Sequence, residues 1–150
     1  MKQTLLLLLT LVVSTMSFNE DFLHITSKYL NLTTDAVMTC INMTSITYED
    51  LMHLDVIEEE NLQTDNTALK VGCMFSCFMQ TKELMINAHI DTNKMKEVTS
   101  SKCKSPEEVA LRFQILDTCS ERVRNMTNEC KVSLNFILCL MNEVQRLLGE

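Results

Sequence analysis

The sequence predicts an all-α protein, and three observations carry that expectation. Glycine occurs only at Gly72 and Gly149, and proline only at Pro106, whereas tight β-hairpins usually need Gly, Asn-Gly or Asp-Gly at positive φ. Leu, Met, Glu and Lys, all good helix formers, are abundant. Helix start signals recur along the chain, followed by apolar residues at helical spacing. About six short helices in one domain are expected. No repeat, low-complexity tract or linker divides the chain, and an apolar content of 46% is enough for a core.

The first residues, MKQTLLLLLTLVVSTMS, stand apart. Lys2 supplies positive charge, Leu5 to Val13 an apolar stretch, and small residues follow, which is the pattern of a secretory signal. The apolar run is shorter than the roughly 20 residues that span a bilayer. Residues 1–17 are therefore read as a signal peptide and 18–150 as one helical domain, soluble and extracellular, with no stable membrane insertion.

In order along that domain, a first helical region runs from about Asn19 to Tyr29, with Phe22, Leu23, Ile25 and Leu30 apolar, and resumes near Thr34 through Met43. Thr47 with Asp50 makes a capping-box-like start for a short helix containing Leu51, Met52 and Leu54. The acidic run from Glu58 to Glu60 opens a polar connection. A third helix spans about Asn66 to Thr81. Asp91 caps a helix running through Cys103. Ser105-Pro106-Glu107-Glu108 combines a cap, proline at the first position and an acidic first turn, and starts a fifth helix reaching about Val123. Asn128 caps the last helix, where Val132, Leu134, Phe136, Ile137, Leu138, Leu140 and Met141 make an almost fully apolar surface, as expected of a helix buried on most sides.

Charge narrows the partners. The formal net charge of −7 becomes −8 once the single positive charge of Lys2 is removed. Nucleic-acid binding normally requires clustered Lys and Arg, which are missing, and an acidic protein is repelled by anionic lipid surfaces. Small or uncharged partners fit better. Sequons at Asn31, Asn42 and Asn125 mark candidate glycosylation sites, although chance alone would supply about two.

Seven cysteines stand at positions 40, 73, 77, 103, 119, 130 and 139. Behind a signal peptide this density favours disulfides over zinc or a reduced redox site. His24, His53 and His89 fall at none of the usual zinc spacings, so no metal is expected. Cys73 and Cys77 share a helical face but lie about 6 Å apart along the axis, and closing one turn restrains little chain, so each should bond to another helix. Cys130 and Cys139 are two and a half turns apart and face opposite ways, which makes the last helix a central strut.

Omitting Cys103, the spacing is Cys40-x32-Cys73-x3-Cys77-x41-Cys119-x10-Cys130-x8-Cys139. This resembles the insect odorant-binding and pheromone-binding protein family, whose signature includes three residues between the second and third cysteines and eight between the fifth and sixth. The resemblance covers the whole mature chain. It implies six helices around an apolar cavity, closed by interlocked bridges pairing Cys40 with Cys77, Cys73 with Cys130, and Cys119 with Cys139. Cys103 departs from the pattern as an odd thiol, either buried as a small apolar group or exposed and able to form a homodimer.

The implied function is that of a secreted carrier, without cofactor, that holds odorants, pheromones or similar lipidic molecules and delivers them in extracellular fluid, with a membrane receptor as a partner at the delivery site. Methionine occurs 11 times, and its thioether adapts to ligands of varied shape. The candidate ligand-binding residues are Met38, Leu54, Met74, Phe78, Met85, Leu111, Ile115, Phe136 and Leu140. Ser76, Tyr48, Asn135 and Thr118 are candidate partners for a polar ligand end. Enzymatic readings fail: there is no His-Asp pair beside a cysteine-rich helix, no glycine-rich calcium loop, and no arrangement of base and orienter for a hydrolase. A saposin-like lipid interactor or a secreted helical signalling protein is the alternative. The eleven residues after Cys139 allow a latch, with Val144, Leu147 and Leu148 laid across the cavity mouth, Glu143, Arg146 and Glu150 in charged contacts, and release governed by acid. The competing expectation is that they simply finish the last helix.

Overall fold

Capping chemistry sets the helix boundaries. The computed structural model describes residues 24, 27–28, 31–53, 57 and 59–148. The expected signal segment, residues 1–17, most of the expected helix from Asn19 to Tyr29, Leu54 and Glu150 lie outside the described residues. Helix α1 is Thr34–Thr44, capped by Thr33, and Ser45 in the left-handed region (φ 54°) stops it. Before α2, Tyr48–His53, the Thr47 N–H donates to Asp50 Oδ2 at 2.9 Å and the Asp50 N–H to Thr47 Oγ1 at 3.2 Å, the reciprocal capping expected from the sequence. A single 3₁₀ turn, Glu59–Asn61, follows. Asp65 then caps α3, Asn66–Thr81.

Helix α3 ends in a Schellman motif built without glycine: Leu84 N–H donates to Met79 O, Glu83 N–H to Gln80 O, and Glu83 has φ 58°. A two-stranded antiparallel hairpin comes next, β1 Met85–Ile86 and β2 His89–Ile90, with Met85 opposite Ile90. Scarce glycine is a poor argument against this one turn, because Asn87 tolerates the positive φ (53°) it requires.

Asp91 caps α4, Thr92–Ser100. This helix stops three residues short of Cys103. The chain tightens there into turns in which Lys102 N–H donates to Thr99 O and Cys103 N–H to Ser100 O, because Ser105 must be extended (φ −146°, ψ 156°) to cap α5, Pro106–Val123. Asn128 Oδ1 accepts from Lys131 N–H at the start of α6, Glu129–Leu148. Among the described residues, six helices and three disulfides make the fold all-α, as expected.

Helices α3 and α6 form the central pair, with the most extensive contact among the described residues; α1 and α2 pack against α3, and α5 packs against α6 with α4 against it. The core divides accordingly. One cluster holds Val37, Cys40, Ile41, Ile46, Leu51, Val71, Met74 and Phe78 from the first three helices and the connection between α1 and α2. A second joins Met79, the hairpin, α4, α5 and α6. A small third one holds Ile57, Leu62, Ala68 and Leu134.

The central pair meets at Gly72. A Cβ added there would lie 2.2 Å from the Cys130 carbonyl oxygen, a backbone atom that cannot swing away. Next to this approach the Cys73–Cys130 bridge spans a Cα–Cα distance of 4.2 Å. Cys40–Cys77 ties α1 to α3 across 5.5 Å, and Cys119–Cys139 ties α5 to α6 across 5.6 Å. The bridges interlock, each closing a loop that contains a cysteine of another. Cys103 is unpaired and half-buried, its thiol donating to Thr99 O at 3.2 Å.

The end of α6 is anchored by one buried carboxylate. Glu143, 5% exposed, accepts from Arg146 Nη2 at 2.6 Å and from Arg122 Nη2 of α5 at 3.2 Å. The Arg146 hydrogen bond, opposed by burial and reinforced by both guanidinium charges, holds its pKa below the ordinary carboxylate range. Val144 and Leu147 pack against the second cluster, so these residues finish the last helix against the core.

Two outcomes follow from this packing. Gly72→Ala should lower unfolding free energy by about 1–3 kcal/mol in urea titration, since overpacking outweighs the roughly 1 kcal/mol that alanine ordinarily gains in a helix; a variant as stable as the parent would refute the close approach. A depressed carboxylate pKa favours the folded state above the unfolded-state value, near 4.3, and that contribution fades as pH falls through the lower folded-state value. The melting-temperature difference between the parent and Glu143→Gln should therefore be full at neutral pH and shrink on acidification below about pH 4; a difference that is constant with pH would show that the carboxylate charge is not what matters.

Candidate functional site

Apolar side chains converge most completely in the second cluster. Helical spacing on α5 turns Ile115, Leu116, Cys119 and Val123 to one side, and α6 faces them with Val132, Phe136 and Cys139. The end of α3 adds Met79, β1 adds Met85 and α4 adds Met95. Three long, unbranched thioether side chains from three different elements thus meet the branched and aromatic residues of two helices. Such a lining reshapes at low cost, because methionine has three rotatable bonds and no branch.

The nine residues singled out from the sequence distribute over more than this cluster. Met85, Ile115 and Phe136 are buried in it, and Leu140 packs at its edge. Met74 and Phe78 are buried in the first cluster, across α3. Leu111 is half-buried on α5, Met38 is 38% exposed on α1, and Leu54 lies outside the described residues.

The candidate polar groups are mostly engaged elsewhere. Ser76 Oγ accepts from Gln80 Nε2 at 2.8 Å. Asn135 and Gln63 exchange two side-chain amide hydrogen bonds on the surface. Tyr48 and Thr118 are half-buried. One buried polar residue was missed by sequence reasoning, Ser133, whereas Glu143, expected in charged contacts, is buried in them with Arg122 and Arg146. The available signal for Ser133 was its position, between Val132 and Leu134 in the mostly apolar last helix.

Two open clefts lie over the second cluster. One, of about 390 Å³, runs between the hairpin, α4 and α5; the other, of about 510 Å³, lies between the hairpin and the connection from α5 to α6. They share Ala88, His89 and Arg124. Their rims are polar: Lys96 pairs with Asp117 at 2.7 Å, Arg124 with Glu121 at 3.2 Å, and Thr92 Oγ1 donates to Ser120 Oγ at 3.0 Å. Beneath the rims, Val123 belongs both to the first cleft and to the buried cluster, and Met126 of the second cleft packs against that cluster.

Among the described residues no three His, Cys, Asp or Glu side chains converge on a point that would hold a metal ion, and no helix is long and apolar enough to cross a membrane. The sequon residues Asn31, Asn42 and Asn125 are exposed.

Comparison with known proteins agrees with this architecture. The profile of the PBP/GOBP family matches residues 24–143. The pheromone-binding protein Gp-9 of Solenopsis geminata is 25% identical over 112 residues, covering 71% of each chain. The proteins of the same name from Solenopsis xyloni and Solenopsis richteri are each 24% identical over the same length and share. No solved structure gives a significant match. A family match over most of the chain, with six cysteines in three interlocked bridges on a six-helix frame, leads to one conclusion: the chain belongs to the PBP/GOBP family.

Proposed function

We propose that the protein is a secreted carrier that takes up small hydrophobic molecules, odorants, pheromones or similar lipidic compounds, into its methionine-rich second cluster and delivers them in extracellular fluid. The observation that carries this reading is the family match over residues 24–143, to which the relatives named for pheromone binding add support. The ligand enters beneath the polar clefts around Ala88, His89 and Arg124 and lies against Met85, Ile115, Phe136 and Leu140. Binding is driven by removing apolar area from water, at roughly 25 cal/mol per Å². The N-terminal leader directs export, a membrane receptor takes up the ligand at its destination, and no catalytic step is involved.

The mature chain should bind one equivalent of a fluorescent apolar probe, N-phenyl-1-naphthylamine, and native mass spectrometry should detect a one-to-one complex. Absence of saturable uptake by folded protein would overturn the carrier reading. Leu140→Asp places a charge at the half-buried edge of the cluster, where desolvation is costly, and should weaken probe binding about tenfold or more while circular dichroism remains helical. Unchanged affinity in that variant would remove Leu140 from the binding wall.

A further inference from the structure

Ser133 is fully buried, with none of its surface reaching solvent. Its hydroxyl donates to Met85 Sδ at 3.4 Å, across the second cluster from α6 to β1. Two features make this contact unusual. A serine within a helix ordinarily returns its hydroxyl to the carbonyl one turn back, whereas this one is directed away from its own helix into the apolar interior. A thioether is also a weak acceptor, so a hydroxyl removed from water is met by a partner much poorer than the water it lost. The acceptor is, in addition, the end of a flexible side chain. Met85 is itself buried, in company with Met79 and Met95, which can rearrange with it.

We propose that Ser133 is the polar anchor of the binding site, and that it selects hydrophobic ligands carrying one carbonyl oxygen, as in a long-chain ketone, aldehyde or ester. The ligand oxygen displaces Met85 Sδ as acceptor, the methionine side chain turns aside, and the alkyl chain takes the volume that Met85 and its neighbours Met79 and Met95 give up. An alkane of the same length gains the apolar contacts but leaves the hydroxyl on sulfur. The inference rests on the carrier reading and deepens it, because it names a ligand class and the residue that discriminates.

The test is displacement of N-phenyl-1-naphthylamine from the mature chain by 2-tridecanone and by tridecane. The parent should prefer the ketone about three- to tenfold, the amount expected from one net hydrogen bond. Ser133→Ala should abolish that preference, lowering ketone affinity relative to alkane by the same factor of about three to ten. Met85→Leu, which keeps the volume close and removes the competing sulfur, should hold or widen it. A residue that only held Met85 in place would give the same shift in both variants for both ligands, and that result would overturn the proposal. So would an unaltered ketone-to-alkane ratio in Ser133→Ala or a reduced ratio in Met85→Leu. Failure of the parent to take up any probe would sink the carrier reading together with the anchor, whereas probe uptake with a ratio indifferent to Ser133 would remove the anchor alone.

Discussion

The backbone contact between α3 and α6 at Gly72 is the constraint on which the rest of the structure depends. Only a residue without a Cβ lets the Cys130 carbonyl come so near, and that nearness permits the adjacent Cys73–Cys130 bridge at a Cα–Cα distance of 4.2 Å. With α3 and α6 joined at that point, α3 carries α1 through Cys77 and α6 carries α5 through Cys139. Each bridge closes a loop that contains a cysteine of another bridge. In the chain-entropy account, loops of 20 to 57 residues each remove about 3–4 kcal/mol of unfolded-state freedom. A domain so restrained relies less on perfect packing for its stability than an unbridged one of the same size.

That restraint explains how a soft interior can be tolerated. Methionine specifies a core poorly, because its rotamers are many and its shape adapts, yet Met79, Met85 and Met95 are all buried in the second cluster. The first cluster, between α1, α2 and α3, contains one buried methionine, Met74, amid Val, Ile, Leu and Phe. The division places stiffness on one side of α3 and adaptability on the other. Cys119 and Cys139 lie inside the adaptable cluster and hold its two helical walls together, so the wall positions stay fixed while the methionines between them rearrange.

Much of the fold was legible because short polar signals act locally. The start of α3 at Asn66, of α4 after Asp91 and of α5 at Pro106 follows from side chains that satisfy orphan N–H groups within three residues. The early end of α4 was not legible, since it depends on the extended backbone that the next cap demands. The hairpin was hidden because Asn87 does the work expected of glycine. Cysteine pairing was readable through spacing and family resemblance, while spacing alone left fifteen possibilities. The site was less legible for a different reason: Met74 and Met85 look alike in sequence, and only the side of α3 on which each falls assigns them to different clusters.

Polar residues in the last helix separate two tasks that an apolar pattern would merge. Glu143 has its charge fully answered by Arg122 and Arg146 and fastens the end of α6 to α5. Ser133, ten residues earlier in the same helix, is answered only by a thioether. The first arrangement resists change, because separating a buried carboxylate from its guanidinium partners exposes an uncompensated charge to a low-dielectric surrounding. The second resists little, because the hydroxyl loses almost nothing in exchanging sulfur for a carbonyl oxygen. A single helix thereby carries a fixed end and a replaceable contact, and the replaceable one faces the cluster whose side chains can move.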